Sequence, residues 1–222
     1  MGLFGSKLTC SFCGGKAKKD YKEISDGVLC KKCMKKISPW FDFSRVVTAE
    51  EIKANMEVKE QMAAEEASFS RDLQYGEGLQ KLCIDKTQRK FMITDDLGHN
   101  PDIYSLDAIK GLELKKREHK YNPDGDNDKW SLKREYMYNF RVVMTVDDPY
   151  VKRIPFSYKA QSIMTGETRL TDETLDEAKK KAETPIGQIS NFLSSLPQKK
   201  IDLIEATIAE GEAIIAELEE LL

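Results

Sequence analysis

At 222 residues with 40% hydrophobic side chains, the chain is long enough for one medium domain plus accessory elements. No apolar run approaches the roughly 20 residues of a membrane helix, which excludes a spanning segment of that kind. The net charge of −3 is unevenly divided: residues 1–45 hold ten Lys/Arg against four Asp/Glu, or +6, which leaves −9 for the remainder.

Two Cys-x-x-Cys pairs, Cys10/Cys13 and Cys30/Cys33, stand in the first 33 residues with sixteen residues between them. Such a double pair aims four thiolates at one point and is a zinc signature. In each pair the intervening residues form a tight knuckle, whose N–H groups can donate to the thiolates and orient them. Gly14 and Gly15 relieve the turn after the first knuckle. Asp26-Gly27 signals a turn before the second, and Lys31 to Ile37 reads as the first turns of a helix. The expectation is one structural zinc ion held by Cys10, Cys13, Cys30 and Cys33, with no position left for a catalytic water. A knuckle, a hairpin, then a knuckle opening a helix describes a treble-clef or zinc-ribbon-like module. Met1 to Lys7 lacks the apolar stretch of a secretory signal, so a cytoplasmic location without structural disulfides is expected. Cys83, in Leu82-Cys83-Ile84, reads as a small core residue.

The stretches Cys10-Ser11-Phe12-Cys13-Gly14 and Gly27-Val28-Leu29-Cys30-Lys31-Lys32-Cys33 resemble the zinc-binding domain at the N-terminus of the Clp unfoldase and LIM-type treble clefs. Closer still is the resemblance to bacterial domain of unknown function 4428. Its members open with residues like Met1 to Ser6 and end the cysteine element with a segment like Ile37-Ser38-Pro39-Trp40. The resemblance implies zinc and a bacterial or phage source; it implies no activity. Met1 to Ser6 also fits the N-myristoylation template, a modification not expected in bacteria, so it reads as a chance match.

Thr48-Ala49-Glu50-Glu51 is a capping box opening a helix to about Ser68, with a thin apolar stripe of Ile52, Met56, Met62 and Ala63. Tyr75-Gly76-Glu77-Gly78 breaks the pattern. Strand periodicity then runs through 79–85 and 90–94 as a hairpin, through 111–115 after an introducing segment at 103–109, and through 136–146 and 150–158 on either side of Asp147-Asp148-Pro149. Hairpin spacing of this kind indicates a small antiparallel barrel or sandwich. The pattern from Asp85-Lys86 through Ile103-Tyr104-Ser105-Leu106-Asp107-Ala108-Ile109 to Glu113-Leu114 is similar to bacterial pleckstrin-homology-like domains, in which a helix (here 175–196) closes one end of the barrel. Thr184-Pro185 predicts a helix restart, and Pro197 ends that piece. Residues 199–222 carry Ile201, Ile204, Ile208, Gly211, Ile215, Leu218 and Leu222 at 3,4 spacing, a glycine-interrupted heptad seam. Intramolecular packing and self-association are equal readings of it.

Asp124-Gly125-Asp126-Asn127-Asp128 with Glu135 imitates a calcium loop, but Lys129 stands where that loop needs glycine. A solvated hairpin loop is the expectation there. His99 and His119 lie in polar surroundings, and no catalytic motif accompanies them. The sequence therefore predicts an α+β protein: a zinc module (1–45), a connector helix (46–74), an antiparallel pleckstrin-homology-like barrel (75–196) and a C-terminal helix (197–222). The expected role is a non-enzymatic, zinc-binding adaptor for a protein partner. Nucleic-acid binding through the basic module and membrane-surface binding through the barrel are the alternatives.

Overall fold

Glycine-rich turns and polar loops divide the chain into short antiparallel strands and a few helices, an α+β arrangement seen in a computed structural model. It describes residues 8–17, 20–121, 135–166, 169–176 and 198–222. Two compact units result, the first formed by Met1–Tyr75, Leu79–Gly111 and Met144–Ile154, the second by Gly76–Gly78, Leu112–Val143 and Pro155–Leu222.

In the first unit, β1 (Tyr21–Ile24) and β2 (Gly27–Cys30) form an antiparallel hairpin over the Ser25-Asp26 turn, leading directly into a single helical turn, α1 (Lys31–Met34). The capping box at Thr48 is formed as expected: the Thr48 hydroxyl accepts from the Glu51 N–H at 3.2 Å, and the Glu51 carboxylate accepts from the Thr48 N–H at 2.9 Å. The Thr48 N–H, together with Arg45, holds the Glu51 carboxyl below its usual range. From this cap α2 runs Ala49–Glu65 and tightens into a 3₁₀ turn, Glu66–Ser68.

Strands β3 (Leu73–Tyr75), β4 (Leu82–Asp85), β5 (Lys90–Ile93) and β6 (Asp102–Ser105) follow as an antiparallel sheet in sequence order. All four residues of β4 are buried, so both faces of this sheet are covered. One face sets Cys83, Met92 and Ile103 against Met62 of α2 and Phe69. The β4–β5 turn is held by Asp85, whose carboxylate accepts from the N–H groups of Gln88 and Ser70, both at 2.8 Å, which keeps its pKa low.

The thin apolar stripe of α2 is completed by polar residues on the same helical face. Asn55 is buried and its side-chain oxygen accepts from the Ser38 N–H at 2.9 Å. One turn on, Lys59 pairs with Asp102, whose side chain is wholly buried. The same carboxylate accepts from the Ser38 hydroxyl and from the Tyr104 hydroxyl, the latter at 2.7 Å. Burial, reinforced by the Asp102 charge, pushes the Tyr104 pKa far up, so this phenol stays a donor. Lys59 also donates to the carbonyl of Pro101 at 2.6 Å.

β7 (Ile109–Tyr121) and β8 (Glu135–Val146) contribute residues to both units. With β9 (Arg153–Phe156) and β10 (Ile163–Gly166) they make a second four-stranded sheet, ordered β10–β8–β7 with β9 also on β8. The 3₁₀ turn at Leu106–Ala108 takes the chain out of the first sheet, so β7 pairs with β8 instead of β6. Among the described residues no strand path closes, and the expected closed barrel is therefore absent from them. β3 and β10, too short to show a period, are additions to the sequence reading. Asp124 to Asp128, Thr184-Pro185 and most of the expected closing helix lie outside the described residues.

In the second unit α3 (Gln198–Glu219) buries Ile201, Ile204, Thr207, Gly211, Ile214 and Leu218. Ile208 and Ile215, read from the heptad, are only half-buried: the buried Ile204, Thr207, Gly211, Ile214 and Leu218 keep the 3,4 spacing, but in the register that puts Thr207 and Ile214 on the covered flank. Gly211 is a contact point: a Cβ there would lie 2.6 Å from both Leu114 Cδ1 and Tyr158 Oη. The Tyr158 hydroxyl is fixed, donating to the Thr207 carbonyl at 2.8 Å. Lys159 pairs with Glu77 at 2.6 Å and with Glu210.

Two stability outcomes follow from these contacts. Lys59→Met should lower stability by about 3–5 kcal/mol in urea unfolding, since it leaves the Asp102 charge buried without its cation. Gly211→Ala, which in an exposed helix would gain about 0.5–1 kcal/mol, should instead lose about 1–3 kcal/mol by overpacking against Tyr158. A raised unfolding midpoint for that variant would show that Tyr158 can yield.

Candidate metal centre

The four cysteines come from two hairpins and one helical turn. Residues 8–17 form the first hairpin, with the Ala17 N–H on the Leu8 carbonyl at 2.8 Å and the Cys10 N–H on the Gly15 carbonyl at 2.8 Å. Its tip turns through Gly14 at φ +65°, a left-handed conformation that glycine adopts without strain. This hairpin is stitched to the next one: the Ser11 N–H donates to the Val28 carbonyl at 2.9 Å, and the Val28 N–H donates to the Ser11 hydroxyl at 2.9 Å. The approach is so close that a Cβ at position 27 would lie 2.0 Å from Ser11 Oγ, which explains Gly27 beyond its turn-forming role. Cys30 ends β2 as the N-cap of α1, and Cys33 lies within that turn.

All four Sγ atoms lie within 4.8 Å of one another. Cys10 and Cys33 are 3.8 Å apart and Cys13 and Cys30 are 3.7 Å apart. A tetrahedral ion with metal–sulfur bonds of about 2.3 Å requires sulfur–sulfur edges of about 3.8 Å, so the residues fit such an ion. Cys10, Cys30 and Cys33 are buried with Leu29, Ile37, Phe41, Val47 and Ile52 in one apolar cluster, while Cys13 is exposed.

Burial pushes the Cys10 thiol up, but N–H groups of Cys30, Phe12 and Cys13 outweigh it and bring its pKa down to about 6. Cys33 is driven up by burial and by the neighbouring sulfurs of Cys13, Cys10 and Cys30. One thiolate forms at the cost of its neighbour, and a divalent cation removes that conflict.

An open cavity of about 1260 Å³ flanks Cys13 and Cys30, lined also by Lys16, Lys31, Lys32, Lys35 and Asp20. Lys31 is paired with Asp20 at 2.9 Å. Part of the module's excess positive charge is thus gathered at one edge of the sulfur cluster. The remaining candidates stand apart. Cys83 is buried in β4 with its pKa raised by burial, as a core residue; His99 sits in the exposed 94–101 loop, and His119 in β7. Sequence reasoning missed the Ser11–Val28 stitch and the Ser38–Asn55 link. Nothing in the periodicity marks either serine; only the Asp26-Gly27 turn signal hinted at a close approach.

No curated protein and no solved structure matches the chain significantly. The segment that carries all four cysteines and the start of α2, residues 9–55, matches the family described as Domain of unknown function (DUF4428).

Proposed function

We propose that the N-terminal module binds one structural zinc ion through Cys10, Cys13, Cys30 and Cys33, and that the protein works as a non-enzymatic adaptor for a protein partner in the cytoplasm. The observation that carries the metal reading is the pair of sulfur–sulfur distances, 3.8 and 3.7 Å, which suit a zinc tetrathiolate and are far too long for disulfides. A knuckle, the β1–β2 hairpin and a second knuckle opening α1 support a treble clef. Four sulfur ligands would fill the tetrahedron and leave no site for an activated water, which argues for a structural ion. Two antiparallel four-stranded sheets support the pleckstrin-homology-like reading of the larger part.

The lysine-lined cavity favours a second reading, binding of a nucleic acid through the zinc module. Tetrathiolate zinc carries a net −2 and reduces the module's +6 to +4, so its field is modest.

Several measurements test these readings. Elemental analysis of the purified chain should give one zinc per chain, and cobalt substitution should give thiolate-to-cobalt absorption. Chelation should then unfold residues 8–47 by amide exchange, as in other metal-organised modules. A content well below one ion, or unchanged exchange after chelation, overturns the metal reading. For the partner, affinity capture from the native host should recover the same protein with the wild type and lose it with Cys10→Ser. Nucleic-acid binding that weakens steeply with salt would support the second reading in place of the first.

A further inference from the structure

The four sulfurs are not equivalent, and their differences point one way. Cys10 and Cys33 are each 2% exposed and Cys30 is 7% exposed, whereas Cys13 faces solvent. The open cavity beside the cluster is lined by Cys13 and Cys30 and by neither of the other two. These two sulfurs lie 3.7 Å apart. Lys16, Lys32 and Lys35 also line the cavity at this exposed corner. Cys10, in contrast, is turned inward and accepts from the Cys30 N–H at 3.4 Å, which lowers its nucleophilicity.

We infer that the Cys13–Cys30 edge is an oxidation site through which a peroxide releases the metal. The inference rests on the zinc reading given above. The exposed Cys13 thiolate attacks the peroxide oxygen, and the O–O bond breaks. With one proton taken up, Cys13 becomes a sulfenic acid and one water leaves. The Cys30 thiolate then attacks the Cys13 sulfur, forms the S–S bond and expels hydroxide, which takes a second proton to become water. In total two thiolates, one hydrogen peroxide and two protons give one disulfide and two waters, with two electrons passing from sulfur to oxygen. The 3.7 Å separation has only to close to about 2 Å, a movement that a solvent-facing knuckle tip can make. Zinc, left with Cys10 and Cys33 alone, dissociates. Thiol reduction with zinc present reverses the step. Cys83, buried and held as a thiol, serves as an inert reference within the same chain.

The test uses the full-length zinc-loaded protein, titrated with hydrogen peroxide while a chromophoric chelator reports released zinc; samples are alkylated and mapped by mass spectrometry. Zinc release in step with a Cys13–Cys30 disulfide, ahead of any change at Cys10, Cys33 or Cys83, and reversal by dithiothreitol plus zinc, supports the inference. First modification at Cys10, Cys33 or Cys83, or zinc retained while Cys13 stays reduced, overturns it. Cys13→His keeps a four-ligand Cys₃His set and should slow release roughly tenfold or more, because oxidation selects exposed thiolates. Should the histidine variant not hold zinc, the order of modification in the wild type still decides. Less than one zinc per chain before peroxide is added overturns the zinc reading and this inference together, whereas a full complement released in the wrong order overturns this inference alone.

Discussion

The buried carboxylate of Asp102 is the constraint around which the first unit is arranged. It is fully removed from water, and an unpaired charge in that position would be ruinous to stability. Its partners arrive from three separate stretches of chain: Ser38 from the segment just past the cysteine module, Lys59 from α2, and Tyr104 from its own strand. Because one carboxylate needs all three donors, the helix, the segment after α1 and the edge of the sheet have little freedom to slide. Asn55 adds a fourth tie by accepting from the Ser38 N–H, and Asn100 donates to the Ile37 carbonyl at 3.1 Å. Ile37 is itself part of the apolar cluster that covers the cysteines. The sulfur site and the polar network are thus joined through two consecutive residues, one apolar and one polar.

That arrangement explains what could be read from sequence and what could not. The cysteine spacing, the Asp26-Gly27 turn and the Thr48 capping box are local features whose geometry depends on a few neighbouring residues, and each is formed as its chemistry dictates. The β4–β5 hairpin was legible for the same reason, with polar turn residues between two apolar runs. The Asp102 network was not legible, because its members are separated by up to 66 residues and each is polar. A hydrophobic stripe along α2 looks thin when Asn55 and Lys59 are counted as surface, although both point into the fold. Polar residues that satisfy one another over long sequence distances carry no period.

The second unit shows a different limit. The heptad read over 199–222 falls on a one-sided helix, Gln198–Glu219, but misjudged which residues complete its buried face. The register read from the isoleucines sets Ile208 and Ile215 beside the Ile204–Gly211–Leu218 line, whereas the helix buries the opposite flank of that line, Thr207 and Ile214. Thr207 is tolerated there because its hydroxyl donates to the Leu203 carbonyl at 2.7 Å and its own carbonyl accepts from Tyr158. The glycine that looked like an interruption of the seam is the residue that lets Tyr158 reach the helix backbone. A glycine within an amphipathic helix can therefore mark a contact as readily as a break.

Protein contacts frame the sulfur cluster. The Ser11–Val28 pair of hydrogen bonds sets the first knuckle against β2, and α1 starts at Cys30 so that Cys33 follows within one turn. What those contacts do not resolve is the electrostatic competition among four sulfurs, in which Cys10 is favoured as an anion and Cys33 is not. A divalent ion would supply the counter-charge that lets all four sulfurs stand together as anions, and so would hold the two knuckles in place. The module's instability toward loss of such an ion would then begin where the backbone shields least, at the solvent-facing knuckle that carries Cys13.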